Sequence, residues 1–393
     1  MTDLPVSARS RVHDVDAIRG FALLGILVVN ITFMASAYPS NLVNDPAFSS
    51  AFDDAIRFVV DALFSMKFYL LFSFLFGYSF VLQMDAARSA GRDFVPRMLR
   101  RTAGLFVIGM AHLVLLYGGD ILTTYAVVGL VLLAMHRASD TAALRTAGTI
   151  YVVILASLVA TSTFVGSSFM PGENEAMSTA AQQTRDMLGA PADIIGHHLD
   201  GLGLLILQSA SLQGPTALAV FLLGMVAARR RLLSGLDGSE SVLHRIQLVG
   251  FPVGLAGGIV FAWMGGPGDT LATALSTATA PFLAAAYVAA LIRIMHGQKM
   301  SRVRGFLVPV GRAALTNYLG QSLVGLVLFT GVGFGWAGQV SPPLLLLIAI
   351  IVFIGQAALT AWWLRNHRYG PAEYLLRWFT NWQRPHAISL AGR

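Results

Sequence analysis

His112 and Asp120 stand on either side of Tyr117-Gly118-Gly119, a turn between two apolar runs. A helical hairpin at that turn puts the imidazole and the carboxylate at similar depth. Such a pair has the parts of a general base, because the carboxylate fixes the tautomer of the ring and stabilises its cation. The same residues also have a plainer account. Asp120 caps the second helix, His112 bonds a backbone carbonyl, and Lys67 extends its amine outward to water. If the helices alternate in direction, Lys67, Asn30 and Gln208 lie at the depth of His112 and become polar contacts for a substrate. A second layer lies at the other ends of the runs. Arg19, Arg100, Arg101 and Arg312 are guanidinium forks that suit bidentate contact with phosphate. Arg312 opens a polar stripe containing Thr316, Asn317, Tyr318 and Gln321. Here the plainer account is contact with anionic headgroups, with Arg19 and Arg312 paired to Asp16 and Glu373. An ionisable group inside an apolar run is costly unless paired or wet, which makes each of these a functional candidate.

The elements that must position them follow from composition. The chain has 393 residues, 55% of them apolar and only 12% charged. Its mean hydropathy is +0.67. A soluble fold of this length needs far more polar surface, so a soluble enzyme, a nucleic-acid factor and a disordered protein are excluded. The formal charge of +7 therefore reports membrane orientation. With no cysteine, disulfides, thiolate metal sites and cysteine nucleophiles are excluded. His197 and His198 are adjacent and diverge on a helix, and no third ligand has suitable spacing, so no metal site is expected.

A helix needs about 20 mostly apolar residues to cross the hydrocarbon. The hydropathy pattern predicts an all-α polytopic bundle with ten spans near 18–37, 62–84, 98–117, 119–135, 147–169, 204–228, 246–264, 271–295, 306–330 and 342–364. Arg9, Arg11 and Arg19 before an apolar run ending in Ala35-Ser36-Ala37 resemble a secretory leader. The run is long enough to span and is read as the first helix. Gly214-Pro215 is read as a break in the sixth. Residues 371–382 form an amphipathic interfacial helix. All basic residues except Arg57, Lys67 and Arg185 fall on one set of alternating connections, which places both termini in the cytoplasm. The longest connection on the other side, 170–200, is acidic, with a short interfacial segment near 196–203. The whole chain, 1–393, is one membrane domain.

Several motifs in order carry a family resemblance. Asp16-Ala17-Ile18-Arg19-Gly20-Phe21, continuing to Asn30, resembles the start of the YeiB-like bacterial membrane proteins, domain of unknown function 418. Lys67-Phe68 with Phe74-Leu75-Phe76-Gly77, Gly109-Met110-Ala111-His112 and Gly119-Asp120-Ile121-Leu122 resemble that family's second to fourth helices. Gly311-Arg312-Ala313-Ala314-Leu315-Thr316-Asn317-Tyr318 through Gln321, and Gly370-Pro371-Ala372-Glu373, resemble its later motifs. The Asp-x-x-Arg-Gly entry is similar to that of the acyltransferase-three and heparan glucosaminide acetyltransferase groups. Those relatives take an acyl group from cytoplasmic acyl-CoA, with a histidine as base or carrier. That histidine lies nearer the first two helices than His112 does.

The resemblance implies acyl-CoA, acetyl-CoA foremost, as donor. Arg19, Arg100, Arg101 and Arg312 would hold its phosphates, and His112 would serve as base with Asp120 as its orienter. Asn30, Lys67, Gln208, Asn317 and Gln321 would meet a small-molecule or glycan acceptor. It implies a bacterial inner-membrane location, contact with lipids, and compatibility with a homodimer. Two other functions fit the residues: a transporter with an intramembrane Lys/His/Asp site, and a non-catalytic lipid-binding protein.

Overall fold

The computed structural model describes residues 6–165, 172–234, 240–296 and 301–383. The last residues of the expected 147–169 span, Lys299, Arg384 and Arg393, and the side chains of Arg9 and Arg11, lie outside what is described. The described residues form helices and no strands, as hydrocarbon requires of a chain that must pair its backbone internally. The helices are α1 (Val6–Ala35), α2 (Ala51–Leu63), α3 (Lys67–Ser89), α4 (Phe94–Leu115), α5 (Leu122–Ala134), α6 (Asp140–Ala160), α7 (Glu173–Asp186), α8 (Pro191–Asp200), α9 (Leu202–Gln208), α10 (Gly214–Arg229), α11 (Glu240–Trp263), α12 (Thr270–His296), α13 (Ser301–Arg312), α14 (Ala314–Phe329), α15 (Pro342–Asn366) and α16 (Pro371–Asn381).

Each expected span coincides with helix, but among the described residues only 8 helical runs are long and apolar enough to cross a membrane. The exceptions are α5 and α14. With 13 residues, α5 rises only about 20 Å, because Gly118 to Ile121 ahead of it is not helical. The expected span 306–330 is two helices, α13 and α14, broken at Ala313 (φ −111°, ψ 41°).

Side chains from far along the chain hold that break. Asn317 Nδ2 donates to the carbonyls of Val310 (3.2 Å) and Ala313 (3.0 Å), and its Oδ1 accepts from Thr360 of α15 at 2.9 Å. The first amides of a helix have no partner inside it. Those of Leu315 and Thr316 donate to Glu373 Oε1 of α16, at 2.6 and 3.2 Å. Thr316 Oγ1 donates to Oε2 at 2.6 Å. The expected ion pair of Glu373 with Arg312 is therefore not formed. Glu373 caps α14, and Arg312 instead donates to the Arg368 carbonyl at 3.4 Å.

Glycine sets how closely α1 and α13 cross. A methyl on Gly20 would overlap the Leu307 carbonyl, and one on Gly311 the Asp16 carbonyl. The two backbones touch, and this brings Arg19 and Arg312 to one end of the bundle. At the opposite end the acidic connection is folded as α7 and α8. The Thr184 hydroxyl accepts from the Ala37 amide at 3.2 Å, Asn41 donates to Gln183 Oε1 at 2.7 Å, and the Gly331 amide donates to the Met187 carbonyl at 3.0 Å. The expected break at Gly214-Pro215 is absent. A π turn, Ser209–Gln213, joins α9 to α10, and Pro215 follows it after Gly214, where the widened turn accommodates a residue without an amide hydrogen. The stretch expected as an interfacial helix is helical, as α16. Its Leu376 packs on α4 while Trp378 and Trp382 stay exposed.

Candidate functional site

A cavity of about 840 Å³ runs through the bundle. Arg97 near the start of α4 and Leu116, the residue that caps its end, both line it, and about 28 Å of helix rise separates them, close to the thickness of the hydrocarbon core. Its two ends differ in chemistry.

One end is basic. Arg19, Arg97, Arg101, Arg312 and Arg377 line it, with Ser79, Gln83 and Asn381. Arg19 is committed: it pairs with Asp16 at 2.7 Å and donates to the Ser79 hydroxyl. Arg377 lies over the Tyr369 ring at 4.3 Å. Among the described residues, Arg97, Arg101, Arg312 and Arg377 form no ion pair with a carboxylate. Arg100 is a correction. It does not line the cavity, and its Nε donates to the Thr380 carbonyl at 3.0 Å, which ties α4 to α16. Arg97 and Arg377 take the place given to it. The Thr380 carbonyl holds Arg100 against α16, while Arg97 and Arg101 keep their side chains on the cavity.

The other end is polar but nearly uncharged. Asn30, Asn41, Gln183, His197, His198, Gln208 and Gln213 line it, with Tyr117 and the turn Gly118-Gly119-Asp120. In an α-helix Gln208 and Gln213 would point well apart. The wider π turn between them turns both amides to the cavity. Irregular backbone at this depth is tolerated where it lines a cavity, as Gly118 to Asp120 does.

Asp120 and His112 meet. His112 Nδ1 lies 2.7 Å from Asp120 Oδ1, and both side chains are 0% exposed. The plainer account of Asp120 holds as well, since its Oδ2 accepts from the Thr123 amide (2.7 Å) and hydroxyl (2.8 Å) at the start of α5. One carboxylate thus caps a helix and orients a histidine. The plainer account of His112 does not hold. Its Nε2 lies 2.8 Å from the Ser322 hydroxyl of α14. With the ring neutral and the carboxylate ionised, Nδ1 carries the ring hydrogen and Nε2 accepts from Ser322. The result is a linear Ser322–His112–Asp120 relay. Asp120 lines the cavity; His112 stands behind it, with the Tyr318 ring at 5.0 Å.

Sequence reasoning missed Ser322. A serine in an apolar helix usually returns its hydroxyl to its own backbone, and only the neighbour across the interface shows otherwise. Three other expected site residues do not reach the cavity. Lys67 is 1% exposed, donates to the Asp61 carbonyl at 2.9 Å and faces the Phe261 ring at 5.5 Å. It closes a corner of α2, α3 and α11, while Met66, Phe68 and Tyr69 beside it line the cavity. Asn317 serves the helix break. Gln321 is 3% exposed, and its buried amide nitrogen has no acceptor.

Comparison with known proteins is consistent with these elements. The family described as "Protein of unknown function (DUF418)" matches residues 227–383, which hold α11 to α16. A protein of Bacillus subtilis (strain 168), "Uncharacterized protein YxaH", is 31% identical over 399 residues, covering 96% of this chain and 97% of its own. "Uncharacterized protein YeiB" of Escherichia coli (strain K12) is 28% identical over 398 residues, covering 96% and 98%.

Proposed function

The chain belongs to the YeiB-like DUF418 family, and from that premise we propose that it is a membrane acyltransferase. Acyl-CoA, acetyl-CoA foremost, enters the basic end of the cavity from the cytoplasm of a bacterial cell. A small-molecule or glycan acceptor enters from the opposite end. His112 is the base, its ring held by Asp120 and its Nε2 in contact with the Ser322 hydroxyl.

The observation that carries this reading is the cluster of Arg97, Arg101, Arg312 and Arg377 at one end of the cavity whose other end holds Asp120. Like charges repel more strongly as the dielectric falls. Glu373 lines the same end, but its oxygens are taken up by the amides and hydroxyl at the start of α14, so the clustered guanidiniums call for a polyanion. The phosphates of coenzyme A are such a polyanion, and guanidinium forks grip them in pairs. A thioester arm running up the cavity then leads toward Asp120. A transporter is the second reading, favoured by the continuity of one cavity from end to end.

Calorimetry on the detergent-purified protein separates the two. Saturable binding of acetyl-CoA, weakened about tenfold by Arg101→Ala or Arg312→Ala, is the expected result, corresponding to about 1.4 kcal/mol for each lost contact. No binding to folded protein at millimolar acyl-CoA would overturn the acyltransferase reading and move the weight to transport.

A further inference from the structure

The relay places a hydroxyl where a base alone does not need one. A histidine that takes a proton directly from a bound acceptor presents its free nitrogen to the cavity. Here that nitrogen is given to Ser322, 1% exposed and 2.8 Å away. The order of contacts is hydroxyl, imidazole Nε2, imidazole Nδ1, carboxylate. In that order the imidazole raises the nucleophilicity of the hydroxyl, and the carboxylate holds the ring and supports its cation. Asp120 is itself fixed by two donors from Thr123, so the ring has one orientation.

The position of Ser322 on α14 also suits this role. Tyr318 lies one turn before it, and Gly325 and Leu326 one turn after; all three line the cavity. Residues at that spacing share a helix face. Ser322 therefore stands one side chain behind the cavity wall, with Tyr318 on the wall and its ring against His112. Gly325 leaves room for Met34 to pack across the same face, since a methyl there would meet the Met34 sulfur at 2.6 Å. A tyrosine and a methionine are side chains that change rotamer without moving a helix.

We propose that Ser322 is the nucleophile of a double displacement and carries the acyl group as a serine ester. The inference rests on the acyl-transfer reading. In the first half, Ser322 Oγ bonds to the thioester carbonyl carbon and its proton passes to His112 Nε2. The carbon–sulfur bond breaks, and the coenzyme A sulfur leaves with that proton as a thiol. In the second half, an acceptor hydroxyl bonds to the same carbon and gives its proton to Nε2. The ester bond to Ser322 breaks, and its oxygen recovers the proton. Nothing is oxidised or reduced. Donor and acceptor need not be bound together, so one cavity serves both in turn.

The test is labelling of the full-length, detergent-purified protein with a small alkyl fluorophosphonate, read by intact-protein and peptide mass spectrometry. This probe needs an activated serine and no acyl-CoA, so its outcome is independent of the donor. The expected result is one adduct per chain, on Ser322. It is lost in Ser322→Ala, slowed at least about 100-fold in His112→Ala, and unchanged in Lys67→Met, whose side chain does not reach the cavity. Labelling of Tyr318→Ala is expected to be faster than that of the parent protein. If neither the parent nor Tyr318→Ala labels at Ser322 while both elute as folded, monodisperse protein, the nucleophile is overturned. An adduct that forms equally fast in His112→Ala overturns it too. Labelling at Ser322 without acyl-CoA binding in calorimetry supports the nucleophile and removes the coenzyme A reading. Acyl-CoA binding without labelling does the reverse.

Discussion

At the scale of single residues, Asp120 has two duties that substitution separates. Asparagine keeps an oxygen for the Thr123 amide but loses the charge that holds the imidazolium. Asp120→Asn is therefore expected to lower acyl transfer by about 100-fold or more while shifting the melting temperature little. Asp120→Ala loses the cap as well and is expected to cost about 1 kcal/mol more in stability. Turnover and thermal melts on the same preparations check both. Lys67 is the contrasting case. It sits in an apolar run, the pattern that marks a functional ion, yet it bonds a backbone carbonyl and leaves the cavity to its neighbours. Lys67→Met is expected to leave acyl-CoA affinity within about twofold, measured by the same calorimetry. Sequence spacing made His112 and Asp120 legible as a pair because a Gly-Gly turn folds them together locally. Ser322 was illegible because its contact with His112 crosses 210 positions.

At the scale of elements, Asp120 stands at the start of α5 and Ser322 within α14, two helices too short to span, and both meet His112 of the spanning helix α4. The turn before α5 supplies Asp120, and the break before α14 lies between Arg312 and Ser322. Hydropathy reads through both, since Ala313 is apolar and Gly118-Gly119 looks like an ordinary loop. What makes the break is a carboxylate from a different helix. Glu373→Ala leaves the amides of Leu315 and Thr316 without an acceptor. A stability loss of about 1–2 kcal/mol is expected. Thermal unfolding in detergent against Glu373→Gln, which retains an acceptor oxygen, measures it. The π turn is likewise invisible in sequence, because Gly214-Pro215 has the signature of a break and only the packed helix shows that the turn widens instead.

At the scale of the whole molecule, the bundle was the most legible feature. Apolar runs and the distribution of arginine fix where helices cross, since hydrocarbon permits little else. The two chemically different ends of one cavity were legible only as layers, and their continuity is a property of packing. The orientation proposed for those ends has a clean assay, because the chain has no cysteine to give background. A cysteine placed at exposed Ser178 on α7 is expected to react with a membrane-impermeant maleimide in intact cells. One placed at exposed Arg92 is expected to react only after the membrane is opened. Reversed labelling would put the arginine end outside and exclude a cytoplasmic donor.

The cap on α14 also bears on how the protein is made. Glu373 belongs to the last described helix, so it leaves the ribosome after α1 to α15 have been synthesised. Until then the end of the cavity that gathers the arginines lacks Arg377 and the carboxylate that finishes α14. A nascent chain can be fully inserted and still hold no competent basic end. Assembly of that end thus waits for α16, and a product stopped short of Pro371 is expected to reach the membrane as an inserted bundle that quality-control proteases meet with one helix terminus uncovered.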